Sequence, residues 1–177
     1  MKTNHKIPID MREFVLNGHF DCVKIGQTRS WLRSNFPEPD DWLTGETIES
    51  SAHWRYGNLK FVFENDRLVH IISDCFRQLD GGTHFDVRPW ILNDSPSFAE
   101  TTQLLVGLGV DHETRIFSII NRVDVRVSKS EVALSFCQEG RFGPSLDYVE
   151  NGPWHLSAVV SNAWRPGSSS GRSEADS

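Results

Sequence analysis

Apolar and polar residues alternate with a period of two over several short stretches of the chain, and recur at helical spacing over three others. Asp10 can cap a helix running to Leu16, with Glu13 three residues on as a capping-box-like partner and Met11, Phe14 and Val15 as its apolar stripe; Asn17-Gly18 ends it. Phe20 to Ile25 reads as a short extended segment. Ile25-Gly26-Gln27-Thr28 is a turn, and Thr28 caps a second helix to about Phe36 with Trp31 and Leu32 inward. Pro37 and Pro39 forbid its continuation. After a polar loop from Asp40 to Ser51, three strands follow: Ala52 to Tyr56, Leu59 to Phe63 and Arg67 to Asp74. The turns between them are short enough to make antiparallel hairpins.

Gln78 to Pro96 is rich in Gly, Asp and Pro and reads as a connector, with Phe85, Val87, Trp90 and Ile91 to pack it on the body. Ser97 then caps a helix through about Leu108, stopped at Gly109. His112 to Ile120, Val123 to Val127, Glu131 to Cys137 and His155 to Ser161 alternate as strands. Helix then meander occurs twice. Leu59-Lys60-Phe61-Val62-Phe63 has a counterpart in Val132-Ala133-Leu134-Ser135-Phe136, and Arg67 to Ile71 in Trp154 to Ala158. An internal repeat and the generic alternation of strands both account for this. The expected fold is α+β, with short helices on one face of an antiparallel sheet. The expected organisation is a flexible lead-in (1–9), a first α+β half (10–77), a connector (78–96), a second half (97–164) and a disordered tail (165–177).

Ile25-Gly26-Gln27-Thr28, a helix, and then Phe36-Pro37-Glu38-Pro39-Asp40-Asp41 resemble the "IGxT/S … LGxPdd" opening of the SmpA/OmlA and β-lactamase-inhibitor-protein-like group. Trp54-Arg55-Tyr56-Gly57 resembles the aromatic-rich "W-x-Y-G" strand that follows in it. Asn35-Phe36 stands where the group has Leu-Gly. The resemblance implies a small helix layer on an antiparallel sheet, a sheet face that grips a partner protein, and no catalytic residues. Bacterial proteins similar over this stretch include immunity-like proteins encoded beside toxins.

Composition narrows the choice. Of 177 residues, 38% are hydrophobic, with 11 Phe and 6 Trp, enough for a packed core. The net charge of -6 argues against a nucleic-acid partner and favours a basic protein, such as a toxin. Cys22, Cys75 and Cys137 are too scattered for a disulfide framework and read as three buried thiols in a reducing compartment. With no apolar run after Met1, and none near the roughly 20 residues that span a bilayer, the expected location is the cytoplasm, away from the membrane.

Candidate chemistry is sparse. The seven His form neither HxH nor HExxH, and no metal or other cofactor is expected. Cys75 falls opposite His70 on strand alternation, and Gly143-Pro144-Ser145 reads as a turn rather than a nucleophile elbow. Asp80-Gly81-Gly82-Thr83 lacks the following Lys of a phosphate loop and reads as flexible connector. Two features point to protein binding. The acidic loop of Glu38, Asp40 and Asp41 beside Trp42 can meet a basic partner. If Trp54 and Tyr56 are core, His53 and Arg55 mark an open sheet face that Arg115 and Arg122 to Arg126 extend. The alternatives are a metal-dependent or small-ligand enzyme with His19, His84 and Asp86 clustered in a pocket, and a homodimer joined through a sheet edge.

Overall fold

A computed structural model describes residues 5–44, 47–73, 79–138 and 154–161 of the chain. Cys75, the Gly143-Pro144-Ser145 turn and the tail from 165 lie outside the described residues. Strand β1 (Ile7–Asp10) leads into helix α1 (Met11–Asn17), and α2 (Arg29–Asn35) follows. Strands β2 (Asp41–Leu43), β3 (His53–Tyr56), β4 (Leu59–Glu64) and β5 (Arg67–Ser73) complete the first half. Strand β6 (Phe85–Arg88) lies between the halves, and the second contains α3 (Phe98–Gly107), β7 (His112–Phe117), β8 (Arg122–Val127), β9 (Ala133–Gln138) and β10 (Trp154–Val160).

Turn chemistry builds the meanders. Asn65 and Asp66 both take positive φ (48° and 62°), the conformation that folds β4 tightly back onto β5. The eight long-sheet strands lie in the order β2-β3-β4-β5-β10-β9-β8-β7, with every neighbouring pair antiparallel. This is the α+β class expected. Each half is a meander, and the halves join through their last strands, where Ile72 faces Val160 and Ser73 faces Val159.

The pairing register is symmetric about the Ile72–Val160 pair, so a half-turn there carries the strand pairing of one meander onto that of the other. Lys60 then corresponds to Ala133, Arg55 to Arg126 and Asp41 to Glu113. Both inner strands bulge at the same place, at Val69 in β5 and Ser157 in β10. Both helix caps make the same isolated bridge, Thr28 to Arg67 and Ser97 to His155. The expected match of β4 with β9 is the one observed. The expected match of β5 with β10 is one residue out: Arg67 corresponds to His155, not Trp154. Because both strands bulge at the same place, this register aligns Leu68 with Leu156 and Ile71 with Val159, all four buried.

The three helices lie on one face. Phe14, Phe20, Phe36, Tyr56, Phe61 and Phe85 form a chain of ring contacts with centroids 4.7–5.9 Å apart, and Phe98 of α3 meets Phe136 edge-on at 5.8 Å. Two stretches expected to be irregular are strands. Ile7–Asp10 and Phe85–Arg88 pair in parallel, which buries Ile9 and Phe85 under the helices. Both alternate apolar and polar residues over four positions, but Pro8 in the first and the Gly- and Pro-rich surroundings of the second read as irregular chain. Phe20–Ile25 turns instead of extending, with a bridge from Phe20 to Val23 and positive φ at Asp21.

Candidate functional site

Alternation along β3 buries Trp54 and Tyr56 and turns His53 and Arg55 to the opposite face, which carries no helix among the described residues. Register carries that face across the sheet. One row of cross-strand partners runs from edge to edge: Asp41, Arg55, Lys60, Ile72, Val160, Ala133, Arg126, Glu113. Its apolar centre is flanked by cations and closed by a carboxylate at each edge. Lys60, Ile72 and Val160 are partly exposed, and Ala133 is buried.

The flanks are ion-paired. Arg55 Nη2 lies 2.6 Å from Asp41, with both side chains nearly half exposed. Arg126 donates to Glu131 at 2.8 Å and lies 3.8 Å from Glu113. Arg115 faces Asp124 across β7 and β8, and Asp124 is buried beside Arg122 Nε at 3.1 Å. That contact is a charge pairing rather than an aligned hydrogen bond. Phe117 lies between two guanidinium groups, Arg115 at 5.0 Å and Arg122 at 4.5 Å from its ring. The register therefore brings His53, Arg55, Asp41, Arg115 and Arg126 onto one face.

Asp40 and Trp42 are elsewhere. The residues expected as an acidic loop include edge strand β2, where Trp42 pairs with buried Trp54 and so points to the helix side, 41% exposed. Asp40 turns inward. Its carboxylate accepts from the N–H of Gly57 at 2.8 Å, the N–H of Thr83 at 3.2 Å and the Thr83 hydroxyl, with His84 Nε2 at 3.9 Å. Partial burial alone would raise its pKa, but these donors outweigh burial and hold it below the ordinary carboxylate value. Burial and the nearby Asp40 and Glu38 charges push the Tyr56 phenol well above its usual value, and its hydroxyl donates to Pro37 O at 2.8 Å.

Asp40 is thus part of a clasp. Asp80-Gly81-Gly82-Thr83, expected to be flexible, packs on the β3–β4 turn through Asn58 N–H to Asp80 O and Asp80 N–H to Asn58 Oδ1. Gly57 and Gly82 both have positive φ. A Cβ on Gly82 would fall 1.7 Å from an Asp40 oxygen, and one on Gly57 2.3 Å from Asp80 O. Glycine is required here by backbone approach, not by chain flexibility.

Sequence reasoning also missed Arg29. Its side chain, 10% exposed, sits over Phe63 at 4.3 Å and near Trp54 at 5.5 Å. It donates to the carbonyls of Ile48 (3.2 Å) and Ser51, and to Asp66 at 3.1 Å. The available signal was its place directly after the Thr28 cap, at the start of an otherwise amphipathic helix.

His19 faces Glu13, whereas His84 faces Asp40. Among the described residues no three His, Cys, Asp or Glu side chains are grouped to hold a metal. A cleft of about 570 Å³ between α1 and the 109–111 turn is lined by Arg12, Glu13, Asn17, Asp111 and Lys129, charges of mixed sign. Cys22 is exposed and Cys137 partly buried, contrary to the expectation of buried thiols; Cys22 lies in the turn that replaces the expected extended segment. Among the described residues no helix is long and apolar enough to cross a membrane. The molecule is thus an α+β protein with a helix-covered sheet face and a face bearing paired charges around an apolar centre. Comparison with protein-family models, curated proteins and solved structures found no match to this chain.

Proposed function

We propose that the chain is a protein-binding module that engages its partner through the helix-free face of the long sheet. The observation that carries this is the edge-to-edge row: partly exposed Ile72 and Val160 at the centre, with Arg55, Lys60 and Arg126 around them. An apolar centre ringed by charge and arginine is the composition that binding surfaces concentrate. The immunity-like resemblance around Trp54-Arg55-Tyr56-Gly57 gives this proposal a specific form: an inhibitor that covers the active site of a toxin. The net charge of -6 favours approach to a basic one.

Affinity capture from the native host tests it, with wild type compared against an Arg55→Glu/Ile72→Asp variant. A partner held by wild type, lost by the variant and bound again as a purified 1:1 complex supports the proposal. A purified partner that binds both forms equally removes the helix-free face from consideration.

A further inference from the structure

We infer that the chain forms a twofold dimer in which β7 pairs antiparallel with β7 of a second copy, extending the sheet across both molecules. The two ends of the long sheet correspond under the half-turn that relates the meanders, but they are finished differently. Edge strand β2 has only three residues. Edge strand β7 has six, His112–Phe117, and among the described residues no strand pairs with its outer side. A six-residue edge is a template for a further strand.

Charge on an edge strand usually opposes such pairing, and the sign pattern decides the matter here. Glu113 and Arg115 flank Thr114, and alternation puts both on the helix-free face. A twofold axis through Thr114 sets Glu113 opposite the partner's Arg115 and Arg115 opposite the partner's Glu113. Both cross-strand pairs are then of opposite sign, the favourable case; like charges opposite each other would repel. The strand is therefore complementary to itself when paired antiparallel about this axis, an arrangement that closes as a dimer. Apolar exposure lies at the same edge: Ile116 is 56% exposed, and Ile120, in the turn directly after β7, is 54% exposed. A strand about 4.8 Å away would cover the outer flank of Ile116.

Sedimentation of the full chain over a range of concentrations tests this, together with Glu113→Arg, Arg115→Glu and the double exchange. Wild type is expected at twice the chain mass. Each single variant places like charges opposite one another twice, and is expected to raise the dimer dissociation constant about tenfold or more. The double exchange re-creates opposite-sign pairs and is expected to restore the dimer. A monomeric wild type at every soluble concentration overturns the inference. So does a dimer indifferent to the single exchanges, or a folded double variant that stays monomeric. If the variants do not fold, hydrogen exchange on wild type decides: amides of 112–117 must become more protected as concentration rises, and unchanged protection overturns it.

Discussion

The first and second halves fill the same socket with different chemistry. Directly after the capping residue of each main helix, a side chain reaches over the corresponding phenylalanine of the sheet. In the first half it is Arg29 over Phe63; in the second it is Phe98 against Phe136. The ring needs only apolar neighbours. The guanidinium needs acceptors, and finds the carbonyls of Ile48 and Ser51 and the carboxylate of Asp66. The first half thereby ties its 47–51 loop and its β4–β5 turn to α2. The second spends its polar contacts on the helix start, where Ser97 and Glu100 form a reciprocal capping box with Ser97 N–H to Glu100 at 2.8 Å. A shared register fixes where a side chain must go, not which kind of contact it makes there.

Breaking the two sockets sharpens the contrast. Arg29→Ala removes a nearly buried charge and leaves its carbonyl acceptors without their donor, and is expected to cost about 3 kcal/mol in urea unfolding. Phe98→Ala, at a partly exposed ring, is expected to cost about 2 kcal/mol, below the range for fully buried aromatics. Equal losses would mean that the polar anchors of Arg29 contribute nothing beyond packing.

The corresponding hairpin turns provide a second comparison. The β3–β4 turn is clasped by Asp80 and Gly82, whereas the β8–β9 turn docks on α1 through Ser130 Oγ to Val15 O and Lys129 to Asn17. Gly82→Ala forces a Cβ into Asp40 at positive φ and is expected to cost about 2 kcal/mol. Ser130→Ala removes two hydrogen bonds, Oγ to Val15 O and Val132 N–H to Oγ, and is expected to cost about 1.5 kcal/mol. The smallest effect is a change of shape with pH. The Asp40 carboxyl is held below its ordinary value of 3.8 when folded. Its contribution is therefore present above that value and is lost as pH falls through the lower folded one. Asp40→Asn is expected to flatten the acid limb of a stability–pH curve, leaving the limb above pH about 6 parallel to wild type.

Much of this fold was legible in the chain because its cues are local. Thr28 and Ser97 were readable as caps, and Trp54 and Tyr56 as one face of a strand, since each signal lies within a few residues of its effect. Asp10 was legible as a cap, but its capping box was not completed: the Glu13 carboxylate accepts from Asn17 instead. His53, Arg55, Arg115 and Arg126 were legible as face residues for the same reason. Asp40 was not. Its carboxylate is satisfied by Thr83, more than forty residues away, and a polar loop in sequence does not reveal whether its charge meets solvent or backbone.

By itself, the sequence determined the period of each element, its ends and the side of each strand that is apolar, because dihedral preference, capping and alternation act over one to four residues. Only the tertiary structure decided that the two meanders join through β5 and β10, that Ile7–Asp10 pairs with Phe85–Arg88, and that Arg29 is buried. Those outcomes depend on which surfaces meet across long separations in the chain. Many pairings satisfy the same local pattern, and the one adopted is selected by the packing and hydrogen bonding of the whole.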